Sequence, residues 1–130
     1  MKTIIKSALT ICISYLGYFL GGWDSMMITL LFFIGGDYLL GTLVAIKKKK
    51  LDSKIGFLGI GRKLIILLLV GLVNILGHAI GMEELRLIAI SFYIANEGIS
   101  IVENASKFGI PIPKKIQDVL SQLKNEGSDE

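Results

Sequence analysis

Phe92-Tyr-Ile-Ala-Asn-Glu-Gly-Ile-Ser-Ile-Val-Glu-Asn-Ala-Ser-Lys-Phe-Gly-Ile-Pro-Ile-Pro113 is the stretch whose reading decides the fold. It is apolar enough to enter a bilayer, yet it carries Asn96, Glu97, Ser100, Glu103 and Asn104. On a helix these five, with Lys107, fall within an arc of roughly 120°. Ile94, Ile99, Ile101 and Val102 occupy the opposite side. A helix built this way does not sit alone in lipid: its polar stripe calls for a partner helix or a water-filled lumen. Each apolar residue from Leu85 to Val102 contributes a few tenths of a kcal/mol to insertion, whereas one central acid costs about 2.5–3.5 kcal/mol. Two acids and two asparagines cancel most of that gain, so stable insertion depends on association.

The rest of the chain extends this pattern. It has 130 residues, 52% of them hydrophobic and only 19% charged, and its mean hydropathy is +0.66. The apolar residues come in long blocks, which points to membrane spans and not to one soluble core. The expected fold is all-α: four transmembrane helices, about 4–22, 26–46, 64–81 and 85–106, in a domain covering 1–112. A cytoplasmic tail over 113–130 carries a short amphipathic helix.

The first block is flanked by Lys2 and Lys6 and closed by Gly21-Gly22; no small-x-small cleavage site follows it, and a second apolar block begins at once, so it reads as a span and not as a signal peptide. Gly17 and Gly21 form a Gly-x-x-x-Gly face suited to close helix packing, as does Gly41 in the second span. Cys12 has no partner in the chain and reads as a buried small hydrophobe. Trp23-Asp24-Ser25 is a tight reversal, with Asp24 or Ser25 placed to cap the next helix. The second span contains Asp37, an intramembrane acid and therefore a functional candidate.

Lys47, Lys48, Lys49, Lys50, Arg62 and Lys63 crowd the connection between the second and third spans. By the positive-inside rule this segment is cytoplasmic, which places both termini inside as well. Between two spans its natural counter-charge is an anionic lipid headgroup, not nucleic acid. Gly56, Gly59 and Gly61 punctuate the segment but match no nucleotide-binding spacing. In the third span Asn74 and His78 recur on one face; a lone histidine is a poor metal site and reads as packed and neutral. Gly109 is the expected cap of the fourth span, and Pro111 and Pro113 stop it. Ile116, Val119, Leu120 and Leu123 then give an amphipathic edge suited to the inner leaflet or to a neighbouring subunit, with Asn125 to Glu130 as a frayed end.

Counting from the cytoplasmic ends of these spans puts Asp37, Asn74 and Glu97 at roughly 14–15 Å depth. The expectation is a polar belt of Asp37, Asn74, Asn96 and Glu97, continued by Ser100, Glu103 and Asn104, that lines a pore or holds an assembly together.

One set of motifs is Gly22-Trp23-Asp24, Asp37-Tyr38 with Gly41 and Ala45-Ile46-Lys47, and Leu51-Asp52-Ser53-Lys54-Ile55-Gly56 with Gly59 and Arg62-Lys63. A second is Phe92-Tyr93-Ile94-Ala95-Asn96-Glu97-Gly98-Ile99-Ser100, Glu103-Asn104 and Gly109-Ile110-Pro111-Ile112-Pro113. In these motifs the chain resembles a known family, the toxin secretion/phage lysis holins. The resemblance implies a self-associating protein of the bacterial cytoplasmic membrane that opens lesions at a timed moment. A cell-wall hydrolase (endolysin) or a toxin then leaves the cell. It implies no catalysis, and the residues show no nucleophile–base pairing, cofactor motif or metal set. The competing reading is a small proton-coupled exporter using Glu97 or Asp37. An exporter needs one or two midplane charges, whereas the fourth span carries a continuous polar stripe.

Overall fold

The computed structural model describes residues 1–128. Five helices follow in order: α1 Lys2–Leu20, α2 Ser25–Lys47, α3 Ser53–Ile80, α4 Glu84–Ser106 and α5 Lys114–Ser128. The first four are long and apolar enough to cross a membrane.

The turns follow local chemistry. α1 ends at Gly21, whose φ of 88° only glycine adopts without cost, and the Gly22 N–H donates to Gly17 O at 2.7 Å. Asp24 caps α2 by accepting from the Met27 N–H at 2.9 Å, and Asp52 caps α3 by accepting from Lys54 N–H at 2.9 Å. Gly109, at φ 74°, follows α4, and the prolines at 111 and 113 keep the helix from continuing.

α4 is the hub, packing against α2, α3 and α5. The buried core joins Met27, Leu30 and Ile34 of α2 to Ile66 and Val70 of α3 and Ile90 and Ile94 of α4, with Leu20 of α1 at its edge. α1 is peripheral. Residues 1–16 are exposed throughout, and the helix meets α3 through its C-terminal part. There Phe19 lies across Gly71: a Cβ at Gly71 would collide with the Phe19 ring.

Four expectations need correction. The basic connection is much shorter than Lys47–Lys63, because α3 begins at Ser53 and takes in Gly56, Gly59, Gly61, Arg62 and Lys63. Two of these glycines give Tyr38 a flat surface: its hydroxyl donates to Gly56 O at 3.4 Å, and its ring lies 3.6 Å from where a Gly59 Cβ would be. Cys12 is exposed, since nothing covers the N-terminal part of α1 within one chain. The amphipathic helix does not stand apart from the spans but packs against α4, with Leu120 buried. It also runs on through Asn125 to Ser128, where a frayed end was expected; Asp129 and Glu130 lie outside the described residues.

Candidate functional site

Three helices contribute one charged side chain each to the interior. Lys63 Nζ of α3 donates to Asp37 Oδ2 of α2 and to Glu97 Oε2 of α4. All three side chains are largely buried, Glu97 most deeply at 4% exposure. Asp37 lies about ten residues from the end of α2, Glu97 about nine from the end of α4 and Lys63 about ten from the start of α3. Their levels therefore coincide, some 14–15 Å from the helix ends that share the basic connection. Around them, Asn104 Nδ2 donates to Asp37 Oδ1 at a long 3.5 Å. Ser100 and Asn104 line a cavity of about 280 Å³ that extends from Asp37 and Lys63 to Lys50, Asp52 and Arg62 at the α2–α3 connection.

The electrostatics follow from counting. One ammonium faces two carboxylates in a largely buried region beside this cavity. The lysine screens the repulsion between the acids, and removing it leaves them facing each other. The arrangement joins α2, α3 and α4 by ionic hydrogen bonds, and it carries more acid than base.

The structure does not assemble the whole expected belt. Asp37, Glu97, Ser100 and Asn104 share the site. Asn96 is half-buried beside it, and Glu103 is exposed. Asn74 is elsewhere: α3 starts well before the assumed span, so Asn74 sits in its far half, where its amide donates to Phe19 O at 3.1 Å. A Cβ at Gly41 would stand 3.9 Å from Asn104 Nδ2, an ordinary contact distance. Gly17 is covered by a side chain from the α1–α2 turn, and Gly21 by Asn74 of α3 and Arg86 of α4. The Trp23 indole lies over Gly17, its Nε1 donating to Ile13 O at 3.3 Å, and Gly21 is the α1 cap. Lys63 was grouped with the headgroup-facing cations but points inward to the acids. Lys48, Lys49, Lys50 and Arg62 are exposed. Lys47 bridges two helix ends, donating to Lys107 O at 2.7 Å with its ammonium 4.9 Å from the Phe108 ring centroid. His78 is exposed and 3.7 Å from Glu83, not packed. Among the described residues no group of His, Cys, Asp and Glu is placed to hold a metal ion.

Sequence reasoning missed Arg86. Its side chain is 10% exposed and forms a clasp at the opposite end of the bundle. Nε donates to Leu20 O at 2.6 Å, Nη2 to Gly22 O at 3.0 Å, and the fork takes Asp24 at 2.7 and 3.2 Å. One guanidinium thus satisfies the last carbonyl of α1 and one in the turn after it, and fixes the capping acid of α2. The Arg86 hydrogen bond holds the Asp24 carboxyl below the usual carboxylate range, against a smaller opposing effect of burial. The available signal was an arginine at the border of an apolar span and an acid in the α1–α2 turn.

The model of a family described as the bacteriophage holin family matches residues 14–125. The chain is 44% identical over 108 residues to an uncharacterised 14.9 kDa protein of Clostridium perfringens, covering 82% of each. It is 40% identical over 111 residues to an uncharacterised protein of Clostridium acetobutylicum, covering 83% of this chain and 88% of the other. A third uncharacterised relative, from Halalkalibacterium halodurans, is 31% identical over 134 residues, covering 98% of this chain and 99% of the other. No solved structure matches.

Proposed function

The chain belongs to the bacteriophage holin family, and from that premise we propose that it self-assembles in the bacterial cytoplasmic membrane and opens lesions there. Through them a cell-wall hydrolase or a toxin passes out of the cell. The hydrolase or toxin is a functional partner that need not touch this protein, and anionic lipids are the counterpart of the exposed lysines.

The observation that carries this reading is the buried cluster of Lys63, Asp37 and Glu97. Packing alone does not need it, because well-packed apolar side chains hold helices together at least as well as a buried ion pair. Two acids on one lysine make a bond between helices that water can undo. While dry, the cluster locks α2, α3 and α4. Once wetted, each charge is solvated independently and the lock loses its strength. The cavity from the α2–α3 connection supplies a path for that water. The cluster is thus a latch on the resting state, and assembly with wetting is the opening event.

The test is release of a folded cytoplasmic reporter enzyme after induction in bacteria, with membrane potential followed in parallel. Collapse of the potential together with reporter release is the expected result. Loss of potential with the reporter retained would reduce the lesion to an ion-sized pore. An intact potential without release would remove the holin activity and favour the exporter.

A further inference from the structure

α5 reverses direction after the Gly109–Pro113 turn and runs back along α4. The register is explicit. A Cβ at Gly98 would stand 2.8 Å from a Leu120 methyl, and a Cβ at Gly127 would stand 2.8 Å from the Phe92 ring. Farther along, Leu87, Ile88 and Ser91 line a cavity with Leu123, Glu126 and Gly127. Phe92 is about fourteen residues, or about 21 Å, from the connection-side end of α4. The end of α5 therefore reaches well past the middle of the span.

Only one edge of α5 is apolar. Lys115, Asp118, Ser121, Gln122, Asn125 and Glu126 are exposed and cover an arc of about 140° on the other side. Lipid does not accept such a face at this depth, and among the described residues α4 is the only helix that packs against α5. Of the polar residues of α4, Ser91 meets only the Glu126 end of α5, and Glu97, Ser100 and Asn104 are turned to Lys63, Asp37 and their cavity. α1 on the periphery exposes the opposite kind of surface, with Ile4, Ile5 and Leu9 outward.

We propose that α5 is a re-entrant segment whose polar face forms a water-facing wall of the assembled lesion, with α1 on the lipid side. This rests on the holin reading and adds which helix meets the water. α4 is then the support, and α5 the surface that passing cargo meets.

The experiment uses the full chain with Cys12, its single cysteine, replaced by serine. In isolated membranes the Ser91→Cys/Leu123→Cys pair is oxidised and probed with a polymer maleimide; Ile88→Cys/Glu126→Cys is a second pair should the first fail to accumulate. Nitroxides at Asn125→Cys and Leu9→Cys are then compared for access to an aqueous nickel chelate and to oxygen. Expected are loss of both thiols in the pair, and nickel access several-fold higher at position 125 than at position 9. Thiols that stay free in both pairs would make α5 a surface helix and overturn the proposal. A crosslink with position 125 open to oxygen but closed to nickel would overturn it too, because the face would then be dry. Reporter release in the same strains reads the holin activity separately, so each idea fails by its own measurement.

Discussion

Lys63 is a single ammonium held between two carboxylates, with 15% of its side chain exposed. Removing one partner of such a group costs about 3–5 kcal/mol, because the remaining charges are left buried and unpaired. Lys63→Met is expected to reduce accumulation in the membrane and lower the midpoint of thermal unfolding in detergent. Lys63→Met combined with Asp37→Leu and Glu97→Leu removes every charge and is expected to restore the midpoint while delaying collapse of the membrane potential. Collapse on the normal schedule in that triple variant would remove the latch role. At the other end, Asp24 has an ordinary value of 3.8 that Arg86 lowers. A depressed carboxyl contributes stability that is fully present above 3.8 and is lost as pH falls through the lower folded value. Wild type is therefore expected to exceed Asp24→Asn in unfolding midpoint by a constant margin from pH 8 to 5, with the margin shrinking below pH 4. A margin that changes between pH 8 and 5 would mean that another group governs the clasp.

At the scale of the element, α1 depends on few contacts. Its N-terminal part is exposed, and its C-terminal part is held by Phe19 against Gly71, by Asn74 on Phe19 O and by the Arg86 clasp. Gly71→Ala puts a methyl group into the Phe19 ring. Overpacking of this kind costs about 1–3 kcal/mol, and here the displaced ring belongs to the element with the least else to hold it. The expected outcome is faster protease cleavage at the α1–α2 turn, with the α2–α3–α4 core unchanged in its hydrogen exchange. Equal loss of protection in both parts would show that α1 and the core unfold as one unit. α3 teaches a different lesson about elements. Glycine costs about 1 kcal/mol in a helix interior, so Gly56, Gly59 and Gly61 look like a loop when read locally. The helix persists because the glycines admit the Tyr38 ring and hydroxyl, and because a membrane-embedded backbone gains from closing its own hydrogen bonds.

For the whole molecule, the exposed apolar side chains from Ile4 on α1 to Phe57 and Leu68 on α3 are a surface for lipid or for other copies. From the lysines at the α2–α3 connection we propose that this connection faces the cytoplasm. With Cys12 replaced by serine, Lys48→Cys is expected to react with an impermeant thiol reagent only in inverted vesicles, and Met82→Cys only from outside intact cells before lysis begins. The reverse pattern would invert the topology.

The existence of four spans, the turns at Gly21 and Gly109, the stop at Pro111 and the acids lying within spans were all readable from the chain, because hydropathy, glycine conformation and proline geometry act over a few residues. So was the family, whose marks are strings of neighbouring residues. Periodicity also showed which face of α4 is polar. It could not show what that face meets, because a helical stripe identifies a surface and not its partner. Only the tertiary structure paired Lys63 with Asp37 and Glu97 across three helices. It alone sent Asn74 to Phe19 and Arg86 to Asp24, and turned α5 back along α4. Each of these joins residues distant in the chain. Helix ends and crossings decide such pairings, and an error of one turn in an assumed helix end moves a side chain by about 5 Å.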